Sequence, residues 1–420
     1  MQSMDVERSS SKVDIDVDVL VVGGGIVGLT LGIALANAGV STAIVDRVSP
    51  AVQRSSPYDG RASAVALGSW RIFNAIGLGP LLQNDSQPIL DIRVADGSVA
   101  DGASPLFLHF GHNDLGEGPF GYMIENRTIR RALFDATISL ANLQILAPNN
   151  VDILTRDAFG VKVMLNDGRR ISTRLLVAAD GRRSAIRASA SIETHEMEYG
   201  QIAIVATIRH ERSHQGVAVE QFLPSGPFAM LPMTNNRSNI IWTESRTHAE
   251  GYLALSEADF KDELSCRFGD WLGSIKLEGP RFSYPLGFMQ AERYTARRLV
   301  LAGDAAHVIH PIAGQGLNLG LRDVAALAEI IVDSYRLGLD VGDSSLLGRY
   351  ERWRRFDNTV LAYATDGLNN LFSNNIGPLR ILRDVGLVAV GTMPPVRRLL
   401  MRQAMGIFGK LPRLVRGEPL

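Results

Sequence analysis

The sequence predicts a mixed α/β protein: a Rossmann-like domain interleaved with an antiparallel-sheet domain and followed by C-terminal helices. Three observations carry this expectation. A β-branched run, DVLVV, leads into GGGIVG and then into a helical pattern, which is the order of a βαβ unit with a glycine-rich first turn. The middle third breaks into short runs rich in Val, Ile, Phe and Trp, separated by Gly, Pro, Ser and Asn, the spacing of an antiparallel sheet. Beyond Leu346 the pattern is helical and increasingly basic.

Each element follows from local chemistry. Asp18–Val22 is short, apolar and β-branched, so it reads as a buried parallel strand. A helix is expected over Leu29–Ala38, stopped by Gly39. Ser41–Val45 reads as a second buried strand with Asp46 at its carboxyl end. Near Val177 an apolar strand ends in Asp180-Gly181, within LLVAADGRRSAIR. Gln201–His210, Gly216–Leu223, Phe228–Met233 and Asn239–Glu244 read as antiparallel strands. Leu299–Leu301 is another short strand, running into GDAAH and then a long helical pattern from Gly316 to Tyr335. The expected organisation is a polar tail over 1–17, a nucleotide-binding domain over 18–90, 119–190 and 286–345, a sheet-bearing substrate domain over 91–118 and 191–285, and a basic helical region over 346–420.

Bulk properties exclude several function classes. A formal charge of −1 over 420 residues provides no global field for nucleic acid. One cysteine, Cys266, rules out a disulfide framework and any cysteine-based zinc or iron–sulfur site. The stretch from Met1 to Asp18 is polar and acidic and does not read as a signal peptide. No run is long and apolar enough to read as a membrane span. An intracellular, cytoplasmic protein is expected.

The motifs carry the chemistry. Gly23 permits a tight turn, Gly25 lets the backbone approach a pyrophosphate, and Gly28 allows close helix–strand contact. The helix N-terminus then offers amide hydrogens and a positive dipole end to phosphates. Asp46 is placed to accept hydrogen bonds from ribose hydroxyls. NAD satisfies this first motif as well as FAD does. The runs LLVAADG and LVLAGDAAH each deliver an Asp to the carboxyl end of a buried strand, where ligands collect in open α/β sheets. Three such strand ends imply one extended ligand touched at several points. His307 and His310 have the i, i+3 spacing of ligands on a helix, but their stretch leads into a Pro-Gly loop without an acidic partner. Packing or hydrogen bonding is expected of them, and no metal.

In the order GxGxxG, DG and GDAAH…P…GxGLN, the chain resembles the flavoprotein aromatic hydroxylases typified by p-hydroxybenzoate hydroxylase, from about Asp18 to Asp357. The resemblance implies FAD as cofactor. It implies that Gly303 and Asp304 meet the ribityl chain and that the Pro311 loop lies beside the reactive edge of the isoalloxazine. Gly314, Gln315, Gly316, Leu317 and Asn318 would open a helix whose amides face the pyrimidine end. Donors held there would stabilise negative charge on the reduced ring. Pro311 and Gly314 to Gly316 are therefore the expected catalytic loop, and no side chain is identified as a phenol-activating base. Arg61 matches an arginine near the flavin and pyrophosphate, and Asn126 a polar side chain on the cofactor. Their plainer readings are a surface arginine and a helix N-cap. Asp180 and Gly181 would serve both FAD and NAD(P)H, or Asp180 would only cap the next helix. Asp46 departs mildly from the glutamate more usual in flavoproteins. In the implied chemistry NAD(P)H reduces FAD, O2 adds at flavin C4a, and one oxygen atom passes to an aromatic ring. There is no second GxGxxG, so NADH or NADPH is expected as a transient co-substrate.

A closer likeness is to the ubiquinone-biosynthesis hydroxylases, which act on polyprenylated phenols. It rests on GDAAHVIHPIAGQGLNLGLRDVAALAEII with SYPLGFMQAERY, LGRYERWRRFDN, FLPSGPFAMLPM and MPPVRRLLMRQAMG. Phe222, Phe228, Met230 and Pro232 are the expected substrate wall, apolar and without an arginine for a substrate carboxylate. Leu379 to Leu414 mixes apolar residues with Arg380, Arg383, Arg397, Arg398, Arg402, Lys410 and Arg413. Such a stretch can rest on the inner face of an anionic membrane or pack on the core with a solvated basic face. Competing readings are a hydroxylase of a soluble phenol, a flavin halogenase (whose Trp-rich lysine motif is not found here), and a flavin-bearing scaffold in a quinone-biosynthesis complex.

Overall fold

A computed structural model of the chain describes residues 14–55, 57–98, 102–310, 314–372, 386 and 390–420. The first third holds β1 (Asp14–Val22), α1 (Ile26–Asn37), β2 (Thr42–Val45), α2 (Pro50–Arg54), β3 (Ala62–Ala66), α3 (Leu67–Ala75), α4 (Gly79–Leu82), β4 (Gln87–Ile89), β5 (Asp91–Ser98), β6 (Gly102–Gly111), β7 (Gly121–Glu125) and α5 (Asn126–Thr137). There follow β8 (Leu143–Leu146), β9 (Val151–Arg156), β10 (Val161–Leu165), β11 (Arg170–Ala178), α6 (Ala185–Ser189), β12 (Thr194–His210), β13 (Val217–Leu223), β14 (Gly226–Met233) and β15 (Arg237–Ser245). The last part holds α7 (Arg246–Ala254), α8 (Glu257–Phe268), β16 (Ile275–Leu277), β17 (Phe282–Ala291), β18 (Thr295–Ala296), β19 (Leu299–Leu301), β20 (His307–Val308), α9 (Gln315–Arg336) and α10 (Ser344–Phe372). Shorter helices at Pro394–Ala404 and Arg413–Arg416 end it.

The first sheet runs β18-β19-β11-β1-β2-β8, with β10 and β9 added beside β11. Its centre is parallel, and register pairs Val22 with both Ala178 and Val45, and Ala178 with Leu301. Four carboxyl ends therefore stop level along one edge. Central parallel strands are covered on both faces, which is why they read as unbroken apolar runs. Helix α1 is buried from Gly28 to Ala36, so it shows no polar face either. The expected strand at Asp18 begins earlier, at Asp14, and the strand expected from Gln201 begins at Thr194. Alternating polar residues hid both extensions.

The second sheet runs β20-β17-β12-β15-β14-β13-β5-β6, with β16 on β12. Its pairs are antiparallel except β13 with β5. A small third sheet, β3-β7-β4, is interleaved with the other two in sequence. Successive residues of a strand point to opposite faces, and both faces of the second sheet are covered. One carries Ile204, Ile208, Phe228, Met230, Ile240 and Trp242, packed with Phe260 and Leu264 of α8. The other carries Ala218, Ile92, Val94 and Leu231, packed with Ala62 and Ala64 of β3 and with Met401 and Met405.

This parity corrects the expected substrate wall. Phe228 and Met230 are fully buried in the α8-facing layer, with Phe228 edge-on to Trp242 at a centroid distance of 6.5 Å. Pro232 shares their face by alternation. Of the four, only Phe222 lies on the face turned toward β3, beside Ala218 in the alternation of β13. Ala229 and Leu231 are the β14 residues on the side turned toward β3. Phe228→Ala should therefore behave as a core truncation, lowering stability by about 3–5 kcal/mol in chemical denaturation. Flavin content of the folded fraction should be unchanged.

Candidate active site

The sequence motifs meet at the carboxyl edge of the first sheet. Gly23 adopts φ +112° directly after β1, and a Cβ there would come 2.2 Å from the carbonyl oxygen of Ala179. The GxGxxG turn thus touches the DG segment and admits no side chain between them. A Cβ on Gly28 would lie 1.9 Å from Gly23 O. Val27 in turn sits against Gly303 and Gly320, where added Cβ atoms would approach to 3.1 and 2.8 Å. Arg187 spans the remaining gap, donating to Ala305 O at 2.9 Å and Arg182 O at 2.8 Å.

Each expected site residue now has a place. Asp46 is turned onto its own loop and accepts from Gly24 N at 2.6 Å, Val48 N at 2.7 Å and the Gln53 amide at 3.1 Å. Little of its acceptor capacity is left for a ribose. Asp180 accepts from Ile186 N at 3.3 Å through one oxygen, while its other, buried oxygen has no partner among the described residues. Asp304 is solvent-accessible, yet protein surrounds it. Desolvation raises its pKa, against the lowering fields of His307, Arg61 and Arg182. Arg61 therefore looks onto the same space, although its guanidinium also pairs with Asp59 at 2.6 Å. Asn126 is the first helical residue of α5, not the N-cap, which is Glu125; its amide oxygen accepts from Ser63 Oγ at 2.6 Å.

Helix α9 starts at the left-handed N-cap Gly314, φ +61°. Asn318 is buried, and its amide donates to Ala64 O and Gly314 O and accepts from Ala66 N at 2.9 Å. That side chain ties the helix to β3 and is occupied by backbone, so its expected direct contact with a cofactor gives way to a bracing role. Gln315 is buried, whereas Gly316 and Leu317 are half-buried. Pro311 lies outside the described residues. His310 is fully buried against Tyr199, with centroids 5.0 Å apart and, among the described residues, no hydrogen-bond partner for either ring nitrogen; burial pulls its pKa down to about 4.

The residue that sequence reasoning missed is Asp323. It is completely buried on α9 and accepts from Gly303 N at 3.1 Å, His307 Nε2 at 2.5 Å, Arg354 Nε at 2.9 Å and the Asn358 amide at 3.2 Å. His307 thus has a hydrogen-bonding role. One available signal was an acid inside the apolar helical run LGLRDVAALAEII. Burial raises the Asp323 pKa, but His307 and Arg354 outweigh it and hold the carboxyl at about 2. A depressed pKa contributes stability that is present above the unfolded value near 4 and lost as pH falls toward 2. Asp323→Asn should cost about 3–5 kcal/mol at neutral pH, because buried Arg354 loses its one fully buried carboxylate and keeps only the more exposed Asp357. It should also flatten the fall of Tm between pH 4 and 2.

The geometry fits a dinucleotide flavin. A Cβ at Gly25, Gly181 or Gly316 would meet nothing within 4 Å, which leaves the backbone open to a ligand. Neither α1 nor α9 has an acid in its first turn, so both N-termini are free to face anionic groups. The unpartnered Asp180 oxygen and Asp304 lie at separate points of the same edge. FAD could be held by the first turn of α1 at its phosphates, by Asp304 at its ribityl hydroxyls and by the α9 turn at its ring. Asp304→Ala should purify with little or no bound flavin, read as absorbance near 450 nm against protein.

The sequence profile of the FAD binding domain family matches residues 16–359. A ubiquinone hydroxylase, UbiL, of Rhodospirillum rubrum is 52% identical over 407 residues, spanning 96% of this chain and 93% of its own length. A 3-demethoxyubiquinol 3-hydroxylase of Escherichia coli is 30% identical, spanning 93% and 98%. Among solved structures, p-nitrophenol 4-monooxygenase PnpA of Pseudomonas putida superimposes with a TM-score of 0.76 at 20% identity, covering 94% of this chain and 99% of its own. With this profile laid over the strand ends and helix turns just described, the chain belongs to the FAD binding domain family, among its flavin-dependent aromatic hydroxylases.

Proposed function

We propose that this flavoprotein hydroxylates the aromatic ring of a polyprenylated phenol in ubiquinone biosynthesis. The overall change is ArH + O2 + NAD(P)H + H⁺ → ArOH + NAD(P)⁺ + H2O. Bound FAD supplies the reduction of O2 with electrons from NADH or NADPH. The observation carrying the substrate class is the apolar face that the second sheet turns toward β3, supported by the full-length likeness to a ubiquinone hydroxylase. Half-buried Ile92, Val94, Leu231, Ala62 and Ala64 form it. A soluble carboxylated phenol would need a cationic fork there; a prenyl tail needs only apolar surface and the exclusion of water.

In this reading the first turn of α1, with Gly23, Gly25 and Gly28, receives the pyrophosphate. Asp304 takes the ribityl hydroxyls, and Asp180 and Arg61 flank them. The amides at Gly314 to Leu317 face the ring and stabilise negative charge on it. Adding a phenol with one prenyl group to the purified holoprotein should accelerate NAD(P)H oxidation and yield an equivalent of hydroxylated product. Oxidation that yields only hydrogen peroxide would favour the scaffold reading. A strain lacking the protein should accumulate a precursor short of one ring hydroxyl.

A peripheral membrane contact belongs to the same proposal. Among the described residues no helix is long and apolar enough to cross a membrane. Met393, Leu399, Leu400 and Phe408 are nevertheless exposed beside exposed Arg398, Arg402 and Lys410, a combination that suits an anionic lipid surface. Part of the basic stretch, 379–385 and 387–389, lies outside the described residues. Truncation would also remove buried Met401, Met405, Leu414 and Val415, so substitutions are the cleaner test. Leu399→Glu with Leu400→Glu should abolish co-sedimentation with phosphatidylglycerol vesicles while leaving Tm unchanged.

A further inference from the structure

We propose that Glu220 is the base that takes the phenolic proton of the substrate, a role that rests on the hydroxylase reading above. In β13 it stands opposite Val94 of β5 and Ala229 of β14, and its row continues through Ile241, Val205 and Phe282. That row faces the nucleotide-binding side. The Phe282 ring fills the space above Gly60, where a Cβ would come within 2.3 Å. In the rows on either side, Asn239 donates to Gly60 O at 3.0 Å, Thr207 meets Tyr58 OH at 2.6 Å and Tyr284 OH donates to Asp59 O at 2.7 Å.

Ala218, on the same face of β13, packs with Val94, Leu231, Ala62 and Ala64. Ala64 in turn lies against Gly314, the N-cap of α9. The sheet face bearing Glu220 and the first turn of α9 thus both border the β3 segment that carries Ala62 and Ala64. Glu220 is half-buried and has no hydrogen-bond or ion-pair partner among the described residues, so its carboxylate is available.

Its charged surroundings are sparse. Asp96 lies one row along on β5, while Asp91, Arg93 and His109 point to the opposite face. Ile92, Val94, Leu108, Phe110, Ala229 and Leu231 bring no charge, and the neighbouring helix Pro394–Ala404 contributes Met401. From β3 the nearest charge is Arg61, turned to Asp59. Desolvation alone pushes the Glu220 carboxyl up to about 7. A base of that strength matches general catalysis near neutrality.

Ionising the hydroxyl makes the ring a better acceptor of an electrophilic oxygen. The phenol O–H bond breaks with its electron pair left on oxygen, and the proton bonds to a Glu220 carboxylate oxygen. Once the ring carbon holds its new oxygen and has lost its hydrogen as a proton, Glu220 returns the first proton and is again a carboxylate. The oxidant remains O2 and the reductant NAD(P)H.

The test compares holoprotein of wild type, Glu220→Gln and Glu220→Asp on an ortho-prenylphenol and its ring-fluorinated analogue of lower hydroxyl pKa. The Gln variant should keep its flavin and Tm, hydroxylate about 100–10,000-fold more slowly, and lose the fall in rate seen in wild type as pH drops through about 7. Fluorination should narrow the gap, and the Asp variant should retain the pH limb at a reduced rate. Hydroxylation by the Gln variant within a few-fold of wild type, with the limb intact, overturns the assignment. So does an equal effect of fluorine on both proteins. Should wild type oxidise NAD(P)H and leave both phenols untouched, the hydroxylase reading itself falls and the base role with it.

Discussion

A single buried carboxylate holds the catalytic edge in shape. Asp323 gathers Gly303 N–H, His307, Arg354 and Asn358, and these belong to the loop after β19, to β20 and to α10. Burying a charge is costly unless it is paired and fully hydrogen-bonded. Here four donors meet two oxygens, so the carboxylate is satisfied only when all the segments are in place. The turn carrying Asp304 is fixed by this arrangement from behind, without any contact between Asp323 and a ligand. Tyr350 reinforces it by donating to Leu301 O at 2.9 Å.

The same economy recurs across the cleft. Side chains such as Asn318 and Arg187 tie helices and loops to strands through main-chain groups and leave the backbone at Gly25, Gly181 and Gly316 uncovered. A rigid edge of this kind suits chemistry that the cofactor performs, because the protein's share is to orient, desolvate and stabilise charge. The second sheet then supplies a largely apolar face that also carries the acids Glu220 and Asp96.

Much of this was legible in the sequence, and the reasons are physical. The glycines at 23 and 28 are dictated by backbone contacts that tolerate no Cβ, so their spacing betrays the turn. Asp180 and Asp304 stand at the ends of apolar strands, which marks the carboxyl edge. The substrate face was not legible. Alternation divides β14 into Phe228 and Met230 on one side and Ala229 and Leu231 on the other, but does not say which side meets the nucleotide-binding domain. Both sides are apolar because both are covered, and the larger residues drew the wrong choice. Asp323 escaped because its partners are spread from 303 to 358 and only folding assembles them. Asp46, conversely, was legible as a strand-end acid, but not as one engaged by its own loop.

Strand order also constrains how the molecule comes to exist. The central sheet needs β1 beside β11, and β11 beside β19, pairings that close very long loops. Leu414 and Val415 then pack into the same interior. A nascent chain leaving the ribosome cannot seal that interior until its final segments emerge. Synthesis therefore passes through a long interval in which β1 and β2 wait with exposed hydrophobic faces, and chaperone protection has its greatest value there.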